Sequence, residues 1–396
     1  MSLAKQTFNH KALMWIATVI AFVQFTNALE YMVFNPIFVF MATDFAVPVS
    51  FSGYVSGMYT LGAVLSGIIA FYWIDHFNKK RFLIINMALL GLLTLLTTCT
   101  SSFSLLLALR FCAGLVGGTT MGVGISILIN NAPPNLRGKM LATVIASFSI
   151  VSIVGMPTIL FLCTHYGWHV ALWLISALCV LALPLIVSFI PKDQVSLDTV
   201  SASPLDADTL LFASANALVQ FSPMLVIPIL APLMIQQLGA SQDLLPWLFF
   251  CGGMIGYLST KITGALTSRF SALVLATGST IVFILSLLIP VLGYEHAALF
   301  ISLFLGASYS RLVSSSVVTI QFPNDRQRAG FSSLQTSIMY LMTTVAFFLS
   351  VFLLPDHDMA PQSVNKLLAI SAISAAGFPI LVIILQKKLA KRVPMS

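Results

Sequence analysis

The stretch LMWIATVIAFVQFTNALEYMVFNPIFVFM, residues 13–41, decides the fold class. A helix needs about 20 mostly apolar residues to cross the hydrocarbon core of a bilayer. This stretch is longer than that, and it lacks the alternation over about ten residues that is typical of membrane β-strands. No A-x-A cleavage site follows it, which favours a retained span over a signal peptide. It therefore predicts a membrane-spanning α-helix with one acidic residue, Glu30, near its middle.

The composition of the whole chain extends this prediction. Of the 396 residues, 58% are hydrophobic and only 8% are charged, whereas soluble domains contain about 25% charged residues. We therefore expect an all-α membrane protein with twelve transmembrane helices. The predicted spans are residues 13–41, 51–74, 82–99, 104–129, 140–163, 170–190, 210–235, 245–268, 272–292, 297–322, 331–354 and 364–386.

Basic residues are distributed unequally between the two sets of loops. The first set, together with the tails, contains Lys5, Lys11, Lys79, Lys80, Arg81, Arg137, Lys139, Lys192, Arg269, Arg326, Arg328, Lys387, Lys388, Lys391 and Arg392. The second set contains Lys366 alone, beside several acidic residues. Since loops rich in Lys and Arg remain in the cytoplasm, we predict a multi-pass protein of the bacterial inner membrane with both termini cytoplasmic.

Charge and cysteine content limit the possible partners. The 19 Lys and Arg residues, which give a net charge of +7, are too sparse to form a nucleic-acid surface. The five cysteines form no C-x-x-C pair, which argues against a disulfide framework or a metal site. We expect the lipid bilayer, protons and a small molecule as partners, no cofactor, and a monomer.

The chain divides into two related halves. The polar segment PKDQVSLDTVSASPLDAD, residues 191–208, separates six predicted spans from six and is predicted to be a cytoplasmic linker. It leaves residues 1–190 and 209–396 as two six-helix bundles. Two short sequences recur at the same offset, namely Asn27-Ala28-Leu29 as Asn216-Ala217-Leu218, and Pro134-Asn135-x-Arg137 as Pro323-Asn324-x-Arg326. Such duplication is typical of transporters with a central site.

Motifs in the first half resemble those of the Major Facilitator Superfamily, nearest to its bacterial drug- and sugar-efflux branch. FYWIDHFNKKR, residues 71–81, is similar to the family loop motif G-x-x-x-D-R-x-G-x-K/R-K/R, and RFCAGLVGG, residues 110–118, to its intramembrane arginine motif. LRGK, residues 136–139, resembles its cytoplasmic turn. The resemblance implies two six-helix bundles that move a small solute by alternating access, with export favoured over uptake.

The resemblance also implies a gate on the cytoplasmic side. Asp75 would pair at the cytoplasmic helix ends, meet the second half near the start of span eleven, and hold the outward-facing state closed to the cytoplasm. The alternative is a solvated loop charge. The predicted gating residues are Asp75, Lys79, Lys80, Arg81 and Arg137.

The polar face of the first span predicts the proton-coupling site. A buried charge costs at least about 2.5–3.5 kcal/mol at mid-bilayer, so Glu30 needs a functional or structural reason. At 100° per residue, Glu30 and its polar neighbours on the same helix together cover about 140° of one face, and we predict that they line a hydrophilic cavity. These neighbours are Gln24, Asn27, Tyr31 and Asn35. Either Glu30 carries the proton with Arg110 as its modulating partner, or the two form a purely structural clamp.

The second half supplies the other candidate substrate contacts. Arg311 has no acidic neighbour in its own half, so it is predicted to meet a substrate anion, backbone carbonyls or Glu30 across the cavity. Lys261 either joins it or extends toward the cytoplasm. Asn216 and Gln220 mirror the polar face of the first span. Prolines 223, 228 and 232 either bend span seven for gating or are ordinary membrane prolines.

These charges favour an anionic or zwitterionic solute, such as a carboxylate-rich metabolite or a siderophore. The predicted function is therefore proton-coupled secondary transport of such a solute. Multidrug or sugar efflux by antiport is the alternative, and a non-transporting membrane sensor or scaffold is a possibility from another class. An enzyme or ATP-driven pump is not expected, because the sequence has no H-E-x-x-H, G-x-S-x-G or G-x-x-x-x-G-K-[ST] motif.

Overall fold

The computed structural model describes residues 10–73, 78–191, 206–322, 328–354 and 359–392. Within these residues, fifteen α-helices form twelve helical segments that run back and forth across the molecule. The helices are α1 (His10–Met41), α2 (Ser52–Trp73), α3 (Lys79–Thr97), α4 (Phe103–Gly117), α5 (Thr120–Asn131), α6 (Pro134–Ile150), α7 (Met156–Tyr166), α8 (Trp168–Phe189), α9 (Ala207–Val226), α10 (Leu230–Gln236), α11 (Leu245–Leu266), α12 (Ala272–Val291), α13 (Ala297–Thr319), α14 (Arg328–Phe352) and α15 (Pro361–Arg392).

Three segments consist of two helices each. Segment four breaks between α4 and α5, at Gly118. Segment five passes from α6 to α7 through a π-helical turn, Val151–Gly155, just before Pro157. Segment seven passes from α9 to α10 through a 3₁₀ turn, Ile227–Ile229, that contains Pro228. A proline lacks the N–H that would continue the helical ladder, which explains the last two breaks.

Ten of the helical stretches in the described residues are long and apolar enough to cross a membrane. The two remaining segments, α2 and α11, contain 22 residues each. Large apolar side chains such as Trp247, Phe352 and Ile373 are exposed on the outside of the bundle, where water would penalise them and lipid would not. The predicted linker, residues 191–208, lies mostly outside the described residues.

The buried apolar residues form three clusters, which differ between the two sides of the molecule. We call the side that holds His10 and Arg392 the terminal side. On the opposite side, one cluster joins both halves and includes Phe34 and Phe304. On the terminal side, the first half has its own cluster around Met87, and the second half has a separate one around Phe212. The two halves therefore share one apolar core on one side and have separate apolar cores on the other.

The halves meet along α2 with α14, and along segment five with α11. Small residues allow this approach: a Cβ added at Gly53 would lie 2.6 Å from the Phe347 carbonyl oxygen, and one added at Gly253 would lie 2.5 Å from that of Ser152. Within the described residues, three hydroxyl contacts cross the boundary. Ser52 Oγ donates to the Pro228 carbonyl oxygen at 2.5 Å, and hydroxyl pairs join Thr60 to Thr344 at 2.8 Å and Ser152 to Tyr309 at 3.2 Å.

Candidate transport site

An ion pair lies inside the first half. Arg110 Nη1 on α4 donates a hydrogen bond to Glu30 Oε1 on α1, and both side chains are almost fully buried. The guanidinium carbon lies 3.7 Å from the centroid of the Phe34 ring and 4.7 Å from that of Tyr59. Glu30 Oε2 and Arg110 Nε and Nη2 have no hydrogen-bond partner within the described part of the chain. The structure thus brings the two predicted coupling residues together in an ion pair. Some hydrogen-bonding atoms of this pair have no partner among the described residues.

The glycines of α4 explain how the neighbouring helices approach this pair. A Cβ at Gly114 would clash with the Tyr59 carbonyl oxygen. A Cβ at Gly117 would clash with the Tyr59 hydroxyl and lie 2.8 Å from Asn27 Oδ1. Close contact between membrane helices commonly depends on such small residues. The glycines therefore allow α1 and α2 to place Asn27 and Tyr59 directly against α4.

The predicted polar face of α1 lies mostly inside the protein. Gln24, Asn27 and Asn35 are buried, while Tyr31 is partly exposed. Both amide atoms of Gln24 and the Oδ1 atoms of Asn27 and Asn35 have no hydrogen-bond partner among the residues described. Leaving a buried polar group unsatisfied costs about 1–3 kcal/mol. Such groups are rare in folded proteins and often mark a functional site.

Three tyrosines connect this polar region with the second half. Tyr31 stacks on Tyr59 with ring centroids 5.0 Å apart, and Tyr340 on α14 approaches Tyr31 edge-on at 6.3 Å. Tyr31 and Tyr340 are partly exposed and pack against the terminal-side cluster of the first half. The shared core begins one turn before Tyr31 on α1, at Ala28, and beyond Tyr340 on α14, at Ala346. The two tyrosines therefore lie at the level where the shared core meets the terminal-side core of the first half.

Sequence reasoning missed Tyr59 and Tyr340. Each is one aromatic residue among many in an apolar span. Their importance depends on which helices are neighbours, and spacing along a single helix does not reveal that.

Arg311 lies inside the second half. It donates hydrogen bonds to Ser222 Oγ at 2.8 Å and to the Ala375 carbonyl oxygen at 3.5 Å. Its guanidinium carbon lies 4.7 Å and 5.5 Å from the ring centroids of Phe283 and Phe378. The side chain is fully buried, and no acidic residue in the described ranges pairs with it. The structure does not bring Arg311 to Glu30, which contacts Arg110 instead.

Lys261 has a different environment from the two arginines. It is exposed, and its ammonium group lies 5.6 Å from the Tyr257 ring centroid. At 100° per residue, Tyr257 and Lys261 lie within about 80° of Gly253, which packs against Ser152 of the first half. Lys261 therefore lies on α11 between the face that packs against segment five and the exposed apolar face that contains Ile262.

The two polar residues of α9 differ in how deeply they are buried. Asn216 is buried, and its Nδ2 atom donates to Ser316 Oγ on α13 at 3.2 Å. Its Oδ1 atom has no partner in the part of the chain that is described. Gln220, one turn later, is half-buried.

The predicted gate is described only in part. Asp75 and the side chain of Arg137 lie outside the described residues. Lys79 is buried at the start of α3, and Lys80 Nζ donates to the Val187 carbonyl oxygen of α8 at 2.8 Å. The backbone N–H of Arg81 donates to Asn78 Oδ1 at 2.9 Å, which caps α3. The described basic residues of the loop motif thus lie at the start of α3, where Lys80 contacts α8.

Comparisons with known proteins agree with this architecture. A sequence profile of the Major Facilitator Superfamily matches residues 20–346. The chain is 25% identical to the niacin transporter NiaP of Acinetobacter baylyi over 46% of this chain and 41% of that protein. It is 26% identical to the 3-(3-hydroxy-phenyl)propionate transporter of Escherichia coli over 52% of each. The matched region thus spans about half the length of these relatives or less.

A solved structure has the same fold. The crystal structure of a bacterial homologue of the human lysosomal transporter Spinster, in an inward-facing and unoccupied conformation, superposes with a TM-score of 0.68. The match covers 96% of both chains at 14% sequence identity. The fold and the family match define a multi-pass membrane protein of the transporter class. The chain belongs to the Major Facilitator Superfamily.

Proposed function

We propose that this protein is a proton-coupled secondary transporter that exports a small organic anion or zwitterion by alternating access. One observation carries the proposal: the halves share a core on the opposite side and have separate cores on the terminal side. Such an arrangement leaves a central site open to one side only. In this proposal residues 1–190 and 209–396 are the two moving bodies, the chain is a monomer, and the loop with Asp75 is part of the gate.

The charge distribution supports an orientation. Basic residues concentrate in the terminal-side loops and tails, so the terminal side faces the cytoplasm of a bacterial inner membrane. The described arrangement is then inward-facing, as in the Spinster homologue. The solute enters from the cytoplasm and leaves after the halves close on the terminal side and open on the other.

Glu30 is the proton carrier in this proposal. Burial favours the neutral form of a carboxyl group, whereas the neighbouring Arg110 favours the ionised form. The balance between the neutral and ionised forms of Glu30 depends on how closely α4 approaches α1, because the ion pair joins these two helices. Proton uptake by Glu30 releases Arg110, and proton loss restores the pair. A change in helix position therefore changes the proton affinity of the site.

Lys261 is the proposed contact for a negative charge on the solute. Of the three cations singled out from the sequence, it is the one that is exposed, and in this proposal its ammonium group extends into the space between the halves. Arg110 is paired with Glu30, and Arg311 is enclosed by its own half. The two relatives described above are named for niacin and a phenylpropionate, both of which are carboxylates. Arg311 then acts indirectly, through Ser222 beside the break in segment seven.

The test uses the full-length protein in proteoliposomes. We expect radiolabelled nicotinate or benzoate to exchange across the membrane in counterflow and to respond to an imposed pH gradient. Glu30→Gln is expected to keep counterflow and to lose the response to the gradient, because an amide takes up no proton. Glu295→Gln, at an exposed loop acid on the opposite side, is the control and is expected to behave as the wild type.

Two results would contradict the proposal. An unchanged gradient response in Glu30→Gln would remove that residue from proton coupling. Transport of cationic dyes without any transport of carboxylates would favour the multidrug alternative.

A further inference from the structure

Building on the proposed function, we infer that the transported solute contains an aromatic ring, which binds at the contact between Tyr31 and Tyr340. The first step in the argument is location. These two residues come from different halves, and both are partly exposed at the level where the shared core meets the terminal-side core of the first half. A solute that enters from the terminal side reaches the closed end of the gap there.

The second step is the geometry of the rings. Aromatic pairs interact favourably at centroid separations of about 4.5–7 Å, either stacked or edge-to-face. Tyr31 and Tyr340 are 6.3 Å apart with an interplanar angle of 77°, which is near the long end of this range. Tyr31 is braced from behind by Tyr59, which is buried against Arg110. A planar ring can therefore extend an aromatic cluster that one half already holds in place.

The third step is the polar chemistry beside the rings. Gln24 and Asn27 lie about two turns and one turn before Tyr31, on the same face of α1. They are 1% and 6% exposed, and three of their amide atoms have no hydrogen-bond partner among the described residues. These amides can bind a hydroxyl, carbonyl or ring nitrogen on an aromatic solute.

The experiment compares matched carboxylates that differ only in the ring. Benzoate and cyclohexanecarboxylate have the same charge and the same number of carbon atoms, and phenylacetate and cyclohexylacetate form a second pair. Competition against nicotinate counterflow, and the thermal shift of the purified protein, measure both pairs. An aromatic contact is worth about two- to tenfold in affinity beyond simple burial, so we expect the aromatic member of each pair to bind that much tighter.

Variants then test the assignment to the tyrosines. Tyr340→Leu and Tyr31→Leu are expected to abolish the preference for the aromatic member, and Tyr340→Phe is expected to retain it. Tyr54→Leu is the matched control. Tyr54 also crosses the boundary between the halves, where it packs against Phe348, but it lies in the region of the shared core. We expect the Tyr54→Leu variant to prefer the aromatic member of each pair as strongly as the wild type does.

The outcomes separate this inference from the proposed function. Equal affinity for both members of each pair in the wild type would overturn the aromatic site, as would failure of every aromatic member to bind. Proton-driven transport of the alicyclic acids in that case would leave the proposed function intact. Aromatic preference in binding without proton-driven flux would contradict the proposed function and leave the aromatic site standing. The wild-type comparison decides the matter even if a leucine variant does not fold.

Discussion

Arg110 and Arg311 occupy the fourth segment of their own halves, and each lies over a phenylalanine ring, Phe34 in one case and Phe283 in the other. Both side chains are fully buried in the interior of one half. They differ in what neutralises them. Arg110 has a carboxylate partner, Glu30, whereas Arg311 has a hydroxyl group and a backbone carbonyl. Both halves contain the cation and its aromatic neighbour, but among the described residues the carboxylate partner is found beside Arg110 and not beside Arg311.

This difference has an energetic consequence. Removing one member of a buried ion pair strands the other charge and typically costs about 3–5 kcal/mol, whereas replacing both members by apolar groups is often neutral. Arg311 has no ionic partner in the described residues to strand. The two arginines should therefore respond very differently to the same substitution.

The largest effect is expected for Arg110→Met. This variant leaves Glu30 buried without its partner, so we expect a loss of about 3–5 kcal/mol in the free energy of unfolding, measured in detergent. The loss should be smaller at acidic pH than at alkaline pH, because a protonated Glu30 needs no cation. The double variant Glu30→Leu, Arg110→Met is the control and should recover most of the stability. A double variant as unstable as Arg110→Met alone would show that packing, and not charge, causes the loss.

An intermediate effect is expected for Ser222→Ala. The hydroxyl of Ser222 accepts a hydrogen bond from Arg311 Nη1 at 2.8 Å. Hydrogen bonds to charged groups contribute about 1.5–3 kcal/mol, and the variant leaves a buried donor unsatisfied. We expect a stability loss in that range from denaturant titration. Ser374→Ala, which removes a hydroxyl bonded to its own helix at the Ser371 carbonyl, is the matched control with little change.

The smallest effect is expected for Arg311→Met. Methionine packs readily between Phe283 and Phe378, and the Ser222 hydroxyl can still donate to the Val219 carbonyl oxygen at 3.4 Å. We expect a change of about 1 kcal/mol or less in the same titration. A loss as large as that of Arg110→Met would mean that Arg311 has an ionic partner as important as Glu30, and the comparison between the halves would fail.

The sequence predicts the helices and the depth of the charged groups better than it predicts their neighbours. Hydropathy places Glu30 and Arg110 inside segments one and four, and the polar face of α1 follows from helical periodicity. The direction in which Arg311 points depends on how α13 packs against α9 and α15. No periodicity within α13 carries that information, and the same reason explains why Tyr59 and Tyr340 escaped notice.

The breaks within segments illustrate the same limit. Proline at position 228 predicts a disturbance in segment seven, and the structure has a 3₁₀ turn there. Pro157 likewise predicts a disturbance in segment five, but residues Val151–Gly155 do not themselves specify that it takes the form of a π-helical turn. The π-helical turn is therefore harder to foresee. It lies where Ser152 contacts Tyr309 and Gly253 of the other half. Packing between halves thus determines local structure that a single helix does not specify.

The apolar core that joins the halves on the opposite side has a thermal consequence. In the proposed cycle that side opens and brings side chains of both halves into contact with water, and hydration of apolar groups carries a large heat capacity. The balance between the two proposed conformations should therefore be a curved function of temperature. Cooling weakens apolar association, so low temperature should shift the proposed cycle toward its outward-facing conformation.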